Sequence, residues 1–245
     1  MLKRMTPKDY SVWWDHESSQ FQSNKIYELL SEISPAEATL EVGCGTGWST
    51  LSLAKNRAVL ALDNNPDLIS LAQARLQKSG VNVGIIQSDL FEPSTQLLDA
   101  IEAFAPKVVV GWLIGSHPDD NDKRTSPDLD ALQKPKEYRE KVEDRLVSMP
   151  LCASSVEWVH TAFRCHVPLA LDESEIKLGQ KKEYESYMFK DSGFSVTDVQ
   201  ILDWHQEASS SVYVRTPNPN FPAGQSKPVI VSILAHRVVT GDLKK

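Results

Sequence analysis

Leu40-Glu41-Val42-Gly43-Cys44-Gly45-Thr46-Gly47 is the stretch on which the fold of this chain turns. An apolar run, Ala38 to Val42, ends in three glycines at alternate positions and leads directly into Thr46 to Lys55, which reads as a helix. Glycines between a strand and a helix let the backbone turn sharply and approach a ligand without a Cβ in the way. The helix start behind them offers free N–H groups to an anionic group. The spacing is GxGxG, and the third glycine of a GxGxxG dinucleotide fingerprint would fall on Trp48, which weakens an NAD reading.

Outward from this turn the same unit repeats: a short apolar run, a turn signal, then an amphipathic stretch, the sequence form of βα units and a mainly parallel sheet. Residues 17–33 predict a helix ahead of the first strand, stopped by Pro35. Ala58 to Leu62 predicts the second strand and Pro66 to Lys78 its helix, closed by Gly80 as a C-terminal cap. Val83 to Gln87 reads as the third strand, Thr95 to Phe104 as a helix, and Lys107 to Leu113 as the fourth strand. Ser116 to Pro135 is long, polar and broken by prolines, and is expected to be a functional loop or a disordered segment. Lys136 to Met149 predicts a charged helix, Val156 to Val167 a fifth strand, and Glu183 to Asp191 a helix ending at Gly193. Phe194 to Trp204 and Val229 to Val239 predict two long strands joined by the loop RTPNPNFPAGQSKP. That connection lacks helical periodicity, so the two are expected to be antiparallel.

The 245 residues, 41% hydrophobic and 24% charged, have an ordinary globular composition, and no linker divides them, so one domain is expected. Lys+Arg 26 against Asp+Glu 33 gives a formal charge of -7, which provides no global field for nucleic acid or anionic lipid. Apolar runs fall short of the roughly 20 residues of a membrane span, and no apolar stretch follows the basic start, so a cytoplasmic protein is expected. Cys44, Cys152 and Cys165 show no CxxC spacing and no disulfide framework.

Two acids share the edge that carries the glycine turn. Asp63 ends the second strand, where its carboxylate could accept both hydroxyls of a ribose, and Ser88-Asp89-Leu90 follows the third, where an acceptor suits an adenine amino group. Taken together, LEVGCGTG, ALDNNPDLISLAQARL and IIQSDLF, in this order and spacing, resemble the class I S-adenosylmethionine-dependent methyltransferases over residues 38–115. The resemblance implies a three-layer Rossmann-like sandwich, α/β, with a mainly parallel seven-stranded sheet and an antiparallel last strand. It divides the chain into an N-terminal helical arm (1–35), a cofactor half (38–115) and a substrate half (116–245). It implies S-adenosyl-L-methionine as cofactor, held by Glu41, Gly43, Cys44, Gly45 and Gly47, by Asp63 and Asn64, by Asp89 and Leu90, and by Gly111 and Trp112 after the fourth strand.

Val110-Gly111-Trp112-Leu113-Ile114-Gly115 contains no Asn-Pro-Pro-Tyr-like run, the pattern of members that methylate base amines or a glutamine amide. There is also no Pro-Cys dipeptide for attack on pyrimidine C5. With the acidic charge, this places nucleic acid behind a small-molecule acceptor and favours methyl transfer to an oxygen, nitrogen or sulfur nucleophile. The alternatives are a noncatalytic S-adenosylmethionine-binding regulator or partner subunit, and a methyltransferase acting on a protein or RNA. His117, just past the fourth strand, is the candidate general base, set against the plainer reading of a solvated loop histidine. His160 and His166 share one face of the fifth strand with Trp158 and Arg164, and packing is the default for all four. Asp119, Asp120, Asn121 and Asp122 read as a solvated loop, and no metal site is expected. Trp13 and Trp14 in the arm, and Trp112, are placed to offer an aromatic face to a sulfonium, a contribution of about 0.5–2 kcal/mol.

Overall fold

Strand β1 (Thr39–Val42) is buried at every position because it lies between β2 (Val59–Asp63) and β4 (Val108–Trp112), with Glu41 level with Ala61 on one side and Val110 on the other. This is a computed structural model, and it describes residues 5–130, 133–204 and 224–238. β3 (Gly84–Gln87) adds to the outer side of β2, and β5 (Trp158–Pro168) to the outer side of β4, all parallel. β7 (Ser226–Arg237) pairs antiparallel to β5, and β6 (Phe194–Asp203) antiparallel to β7, giving the order β3-β2-β1-β4-β5-β7-β6. The seven-stranded, mainly parallel sheet expected from the sequence is therefore present, antiparallel end included.

Side-chain alternation sends the strands' residues to two separate cores. Leu40, Val42, Leu60, Leu62 and Val109 face α5 (Thr95–Phe104), α7 (Lys134–Leu146) and α8 (Glu173–Ser186). Val59, Ala61, Val108, Val110 and Trp112 face α1 (Pro7–Ser23), α2 (Ile26–Ile33), α3 (Trp48–Leu53) and α4 (Pro66–Lys78). Both faces of the inner strands are covered, which explains why they read as unbroken apolar runs. Among the described residues no helix is long and apolar enough to cross a membrane.

Helix ends follow local chemistry. Asn65 caps α4 by accepting from the N–H groups of Asp67 and Leu68. At its other end Gly80 (φ +68) and Val81 donate to Gln77 and Leu76, a complete Schellman closure. Three expectations need correction. The helix predicted over 17–33 is two helices, broken at Lys25 with φ 59, and the first begins at Pro7 because Thr6 caps it against Asp9. Trp13 and Trp14 thus lie on a helix. The 116–135 segment is not all loop: α6 (Pro118–Arg124) sits within it, with acids in its first turn and Lys123 and Arg124 in its last, as the helix dipole favours. The helix predicted over 183–191 begins at Glu173, where Asp172 and Glu175 form a capping box. Of the predicted connection between the last two strands, residues 215–223 lie outside the described residues.

The glycine turn and the α4 closure can be compared directly. A Cβ on Gly47 (φ +81) would fall 3.0 Å from both Cα and Cβ of Ala72, whereas one on Gly80 would meet nothing within 4 Å. Gly80→Ala is expected to cost about 1–2 kcal/mol, the left-handed conformation alone. Gly47→Ala is expected to cost about 2–4 kcal/mol, because α4 must also move. Urea unfolding of both variants checks this, and equal losses would refute the close packing of α4 on the turn.

Candidate functional site

The turn after β1 is held from two directions. Gly43 (φ +73) and Cys44 donate their N–H groups to the Leu62 carbonyl at 2.9 and 3.0 Å, and Gly45 (φ +53) donates to the Asp63 carboxylate at 2.9 Å. A Cβ on Gly45 would fall 2.9 Å from the Trp14 indole Nε1, and one on Gly43 would fall 3.3 Å from Ile114, so neighbouring side chains take the room that a Cβ would need.

Glu41 lies beneath the turn, 2% exposed, and its carboxylate receives the hydroxyls of Ser49 and of Thr50, the latter at 2.6 Å. It ties β1 to α3 from below and does not reach the cavity above the turn. Burial raises its pKa to about 7 against the partial compensation of the two hydroxyls.

Asp63 is 6% exposed and accepts from the Asn65 N–H at 2.9 Å as well as from Gly45. Burial pushes its carboxyl upward, the backbone donors oppose that, and Asp120 adds a smaller upward push. The Asn64 N–H also faces this carboxylate, and the acceptor capacity that these donors leave is open to a ligand.

Above these groups is a cavity of about 470 Å³. Of the residues expected to hold a cofactor, Gly43, Gly45, Asp63, Asn64 and Leu90 line it. Glu41, Cys44, Gly47, Asp89, Gly111 and Trp112 do not. Cys44 is buried, and burial raises its thiol pKa. Asp89 accepts from the Phe91 N–H at 2.9 Å, while the Arg124 guanidinium from α6 occupies its other oxygen. Gly111 has no room for a side chain, since a Cβ would fall 2.5 Å from Leu146. Trp112 packs edge-on against His160, ring centroids 5.2 Å apart, away from the cavity.

His117 does line the cavity, where it caps α6. Its Nδ1 accepts from the Asp119 N–H at 3.2 Å and its Nε2 lies 2.8 Å from the Met5 carbonyl, to which it is placed to donate. Both nitrogens are in use, so a proton could be taken only after one is released. His160 is fully buried on Ser232 Oγ at 2.7 Å, and burial lowers its pKa to about 3, so it stays neutral.

Among the other wall residues, Trp14 was expected beside the cofactor from the sequence, and the rest were not read as site residues. Tyr10 and Trp14 of α1 form one side; Ser116, Asp120 and Tyr138 form the other. Tyr10 and Trp14 are four apart, one helical turn, which is the signal that would have shown them on a single face. Asp120 gathers the hydroxyls of Ser116 and Tyr138 at 2.6 and 2.7 Å. Among the described residues no group of His, Cys, Asp and Glu side chains is arranged to hold a metal ion.

Comparison with known proteins bears on the same region. Residues 39–109 match the family model described as a methyltransferase domain. The chain is 38% identical over 73 residues to a probable cobalt-precorrin-6B C(15)-methyltransferase (decarboxylating) of Methanothermobacter thermautotrophicus, 29% of this chain and 38% of that protein. It is 30% identical over 98 residues to a release factor glutamine methyltransferase of Geobacter sulfurreducens, 38% of this chain and 34% of that protein. The matched stretches thus span little more than a third of these curated relatives. A crystal structure of the 4+2 cyclase SpnF superposes with a TM-score of 0.54 at 10% identity, covering 96% of this chain and 97% of that one, a likeness of fold alone.

Glu41 gives this site a pH signature. Its folded pKa of about 7 exceeds the usual 4.5, so folding takes up a proton in between. Its contribution to stability is complete below pH 4.5 and lost as the pH rises through 7. Between pH 5 and 8 the stability of the native chain relative to Glu41→Gln is therefore expected to fall, by on the order of 2 kcal/mol. Urea unfolding at the two pH values measures this, and a constant difference would refute it.

Proposed function

Because the chain carries the fold and the domain signature of the class I S-adenosylmethionine-dependent methyltransferases, we propose that this cavity holds S-adenosyl-L-methionine and that the chain transfers a methyl group to an oxygen, nitrogen or sulfur nucleophile of a small molecule. The observation that carries the reading is the juxtaposition, in one cavity, of the Gly43–Gly45 turn at the end of β1 and the buried Asp63 carboxylate at the end of β2. The residues fit such a cofactor. The turn has no Cβ that would meet it, Asp63 keeps lone pairs for ribose hydroxyls, and the apolar Leu90 and Leu68 border the adjoining wall. The methylsulfonium supplies its own electrophile, so the protein needs chiefly to bind, align and exclude water.

The chain's own residues divide that work. Gly43 and Gly45 let the backbone approach the cofactor closely, and Asp63 fixes it through its sugar. Trp14 covers the glycine turn from α1, and Tyr10, one helical turn earlier, covers the segment after β4. His117 orients the first turn of α6, and Ser116 and Tyr138 orient Asp120, so the wall beyond β4 is rigid before any acceptor arrives. A cavity of about 470 Å³ walled by α1 and α6 is of the size that encloses a small ligand such as the cofactor, about 300–1,000 Å³, and the formal charge of -7 favours a small acceptor over an RNA strand.

Calorimetry with S-adenosylmethionine and S-adenosylhomocysteine tests the reading. Both are expected to bind, and Asp63→Ala is expected to weaken each by about 1.5–3 kcal/mol, the scale of hydrogen bonds to a charged group. No affinity for either compound in the native chain would overturn the proposal. Turnover of labelled methyl groups into a small-molecule extract separates an enzyme from a noncatalytic binding subunit.

A further inference from the structure

The Tyr10 hydroxyl is not accounted for by the architecture. Tyr10 is 6% exposed and lines the cavity, yet its hydroxyl makes no hydrogen bond to a described residue. A tyrosine hydroxyl that opens on a cavity with no protein partner is a group available to a ligand. Burial, with Asp63 adding to it, pushes the phenol pKa up, so the group keeps its proton at physiological pH. Asp120 presents a second polar group to the cavity. Its Oδ2 receives the Ser116 and Tyr138 hydroxyls at 2.6 and 2.7 Å and the Asn64 amide at 3.4 Å, whereas Oδ1 accepts no hydrogen bond from a described residue and pairs only electrostatically with the Arg124 Nε at 3.9 Å.

The placement of the pair follows from α1. Trp14 lies over the glycine turn, where a Cβ on Gly45 would fall 2.9 Å from its indole nitrogen. One helical turn earlier, Tyr10 reaches past the end of β4, where a Cβ on Gly115 would lie 3.6 Å from its hydroxyl, and its ring stands edge-on to His117 at 5.6 Å. Tyr10 thus spans the boundary between the glycine turn and the segment after β4. If the cofactor reading above holds, and this inference rests on it, that boundary is where the methyl group lies.

We infer that the Tyr10 hydroxyl and the Asp120 carboxylate form a polar pair facing the transferred methyl, which selects an acceptor whose nucleophile bears an N–H or O–H, an amine or a hydroxyl. Each oxygen can accept the acceptor's hydrogen, leaving the nucleophile's lone pair directed at the methyl carbon. An acceptor bearing a carboxylate or phosphate at this point would face Asp63 and Asp120 together and be repelled. Both side chains act here by binding and orienting the acceptor.

The test needs no knowledge of the acceptor. Sinefungin is the cofactor analogue in which an amine-bearing carbon replaces the methylsulfonium, so its amine stands where the transferred methyl would, facing the polar pair. Calorimetry is expected to show sinefungin binding the native chain about tenfold more tightly than S-adenosylhomocysteine, the scale of one charge-assisted hydrogen bond. Tyr10→Phe and Asp120→Asn are each expected to reduce that preference to about twofold or less, the ratio to S-adenosylhomocysteine cancelling any change common to the two ligands. If S-adenosylhomocysteine binds and the preference is absent, or survives in both variants, the inference is overturned while the cofactor reading stands. If neither compound binds, the cofactor reading itself fails. Should Asp120→Asn not fold, Tyr10→Phe decides alone, since it keeps the ring and removes only the hydroxyl.

Discussion

The Gly45 N–H donates to the Asp63 carboxylate across the ends of β1 and β2, and the geometry of the sheet's carboxyl edge depends on that bond. For the amide to point at β2, the chain must leave β1 through residues with positive φ, which Gly43, Gly45 and Gly47 adopt without steric cost. For the carboxylate to be within reach it must be buried, and burial raises its pKa; the Gly45 and Asn65 donors offset part of that cost. The turn and the acid therefore require each other. Glu41 repeats the arrangement one layer below, a buried carboxylate held by two hydroxyls of α3.

The walls of the cavity come from outside this unit and are held by polar contacts between distant segments. Asp15 of α1 pairs with Arg75 of α4 at 2.7 Å, Arg75 also donates to the Thr46 carbonyl, and Ser18 meets the Thr46 hydroxyl at 3.1 Å. The arm is thereby aligned with the glycine turn. Arg124 performs the equivalent task for α6, bridging Asp89 and Glu92. Exposed and partly exposed pairs of this kind contribute little stability, so their consequence is orientation. The apolar side chains of α1, Phe21 and Trp14 among them, supply the burial that holds the helix against the sheet.

Much of this could be read from the chain before any coordinates. α4 and α5 begin and end where their caps and periodicity place them, because Asn65-Pro66 and Gly80 are local signals that need no tertiary partner. The N-terminal arm was harder to read. Its buried face, Tyr10, Trp14, Glu17 and Phe21, has helical spacing, but the buried Glu17 interrupts the apolar stripe and hides the pattern. The same holds at α8, where Ile176 and Tyr184 alone are buried and the capping box at Asp172 was the better signal. Asp89 and Asp120 show the limit most plainly. Both read from the sequence as acids in polar turns, yet Arg124 hydrogen-bonds Asp89, while Asp120 lies on α6 and lines the cavity.

The sequence by itself determined the alternation of strands and helices, the glycine turn and the acid that answers it. Each of these is set by backbone conformation, by side-chain periodicity or by neighbours a few residues away. The tertiary structure decided which acid faces the cavity, which aromatic residues cover it, and that Trp112 turns into the core. A side chain's final partner is set by which distant element packs against it, and in a chain with this many carboxylates and aromatic rings, local pattern does not distinguish the candidates.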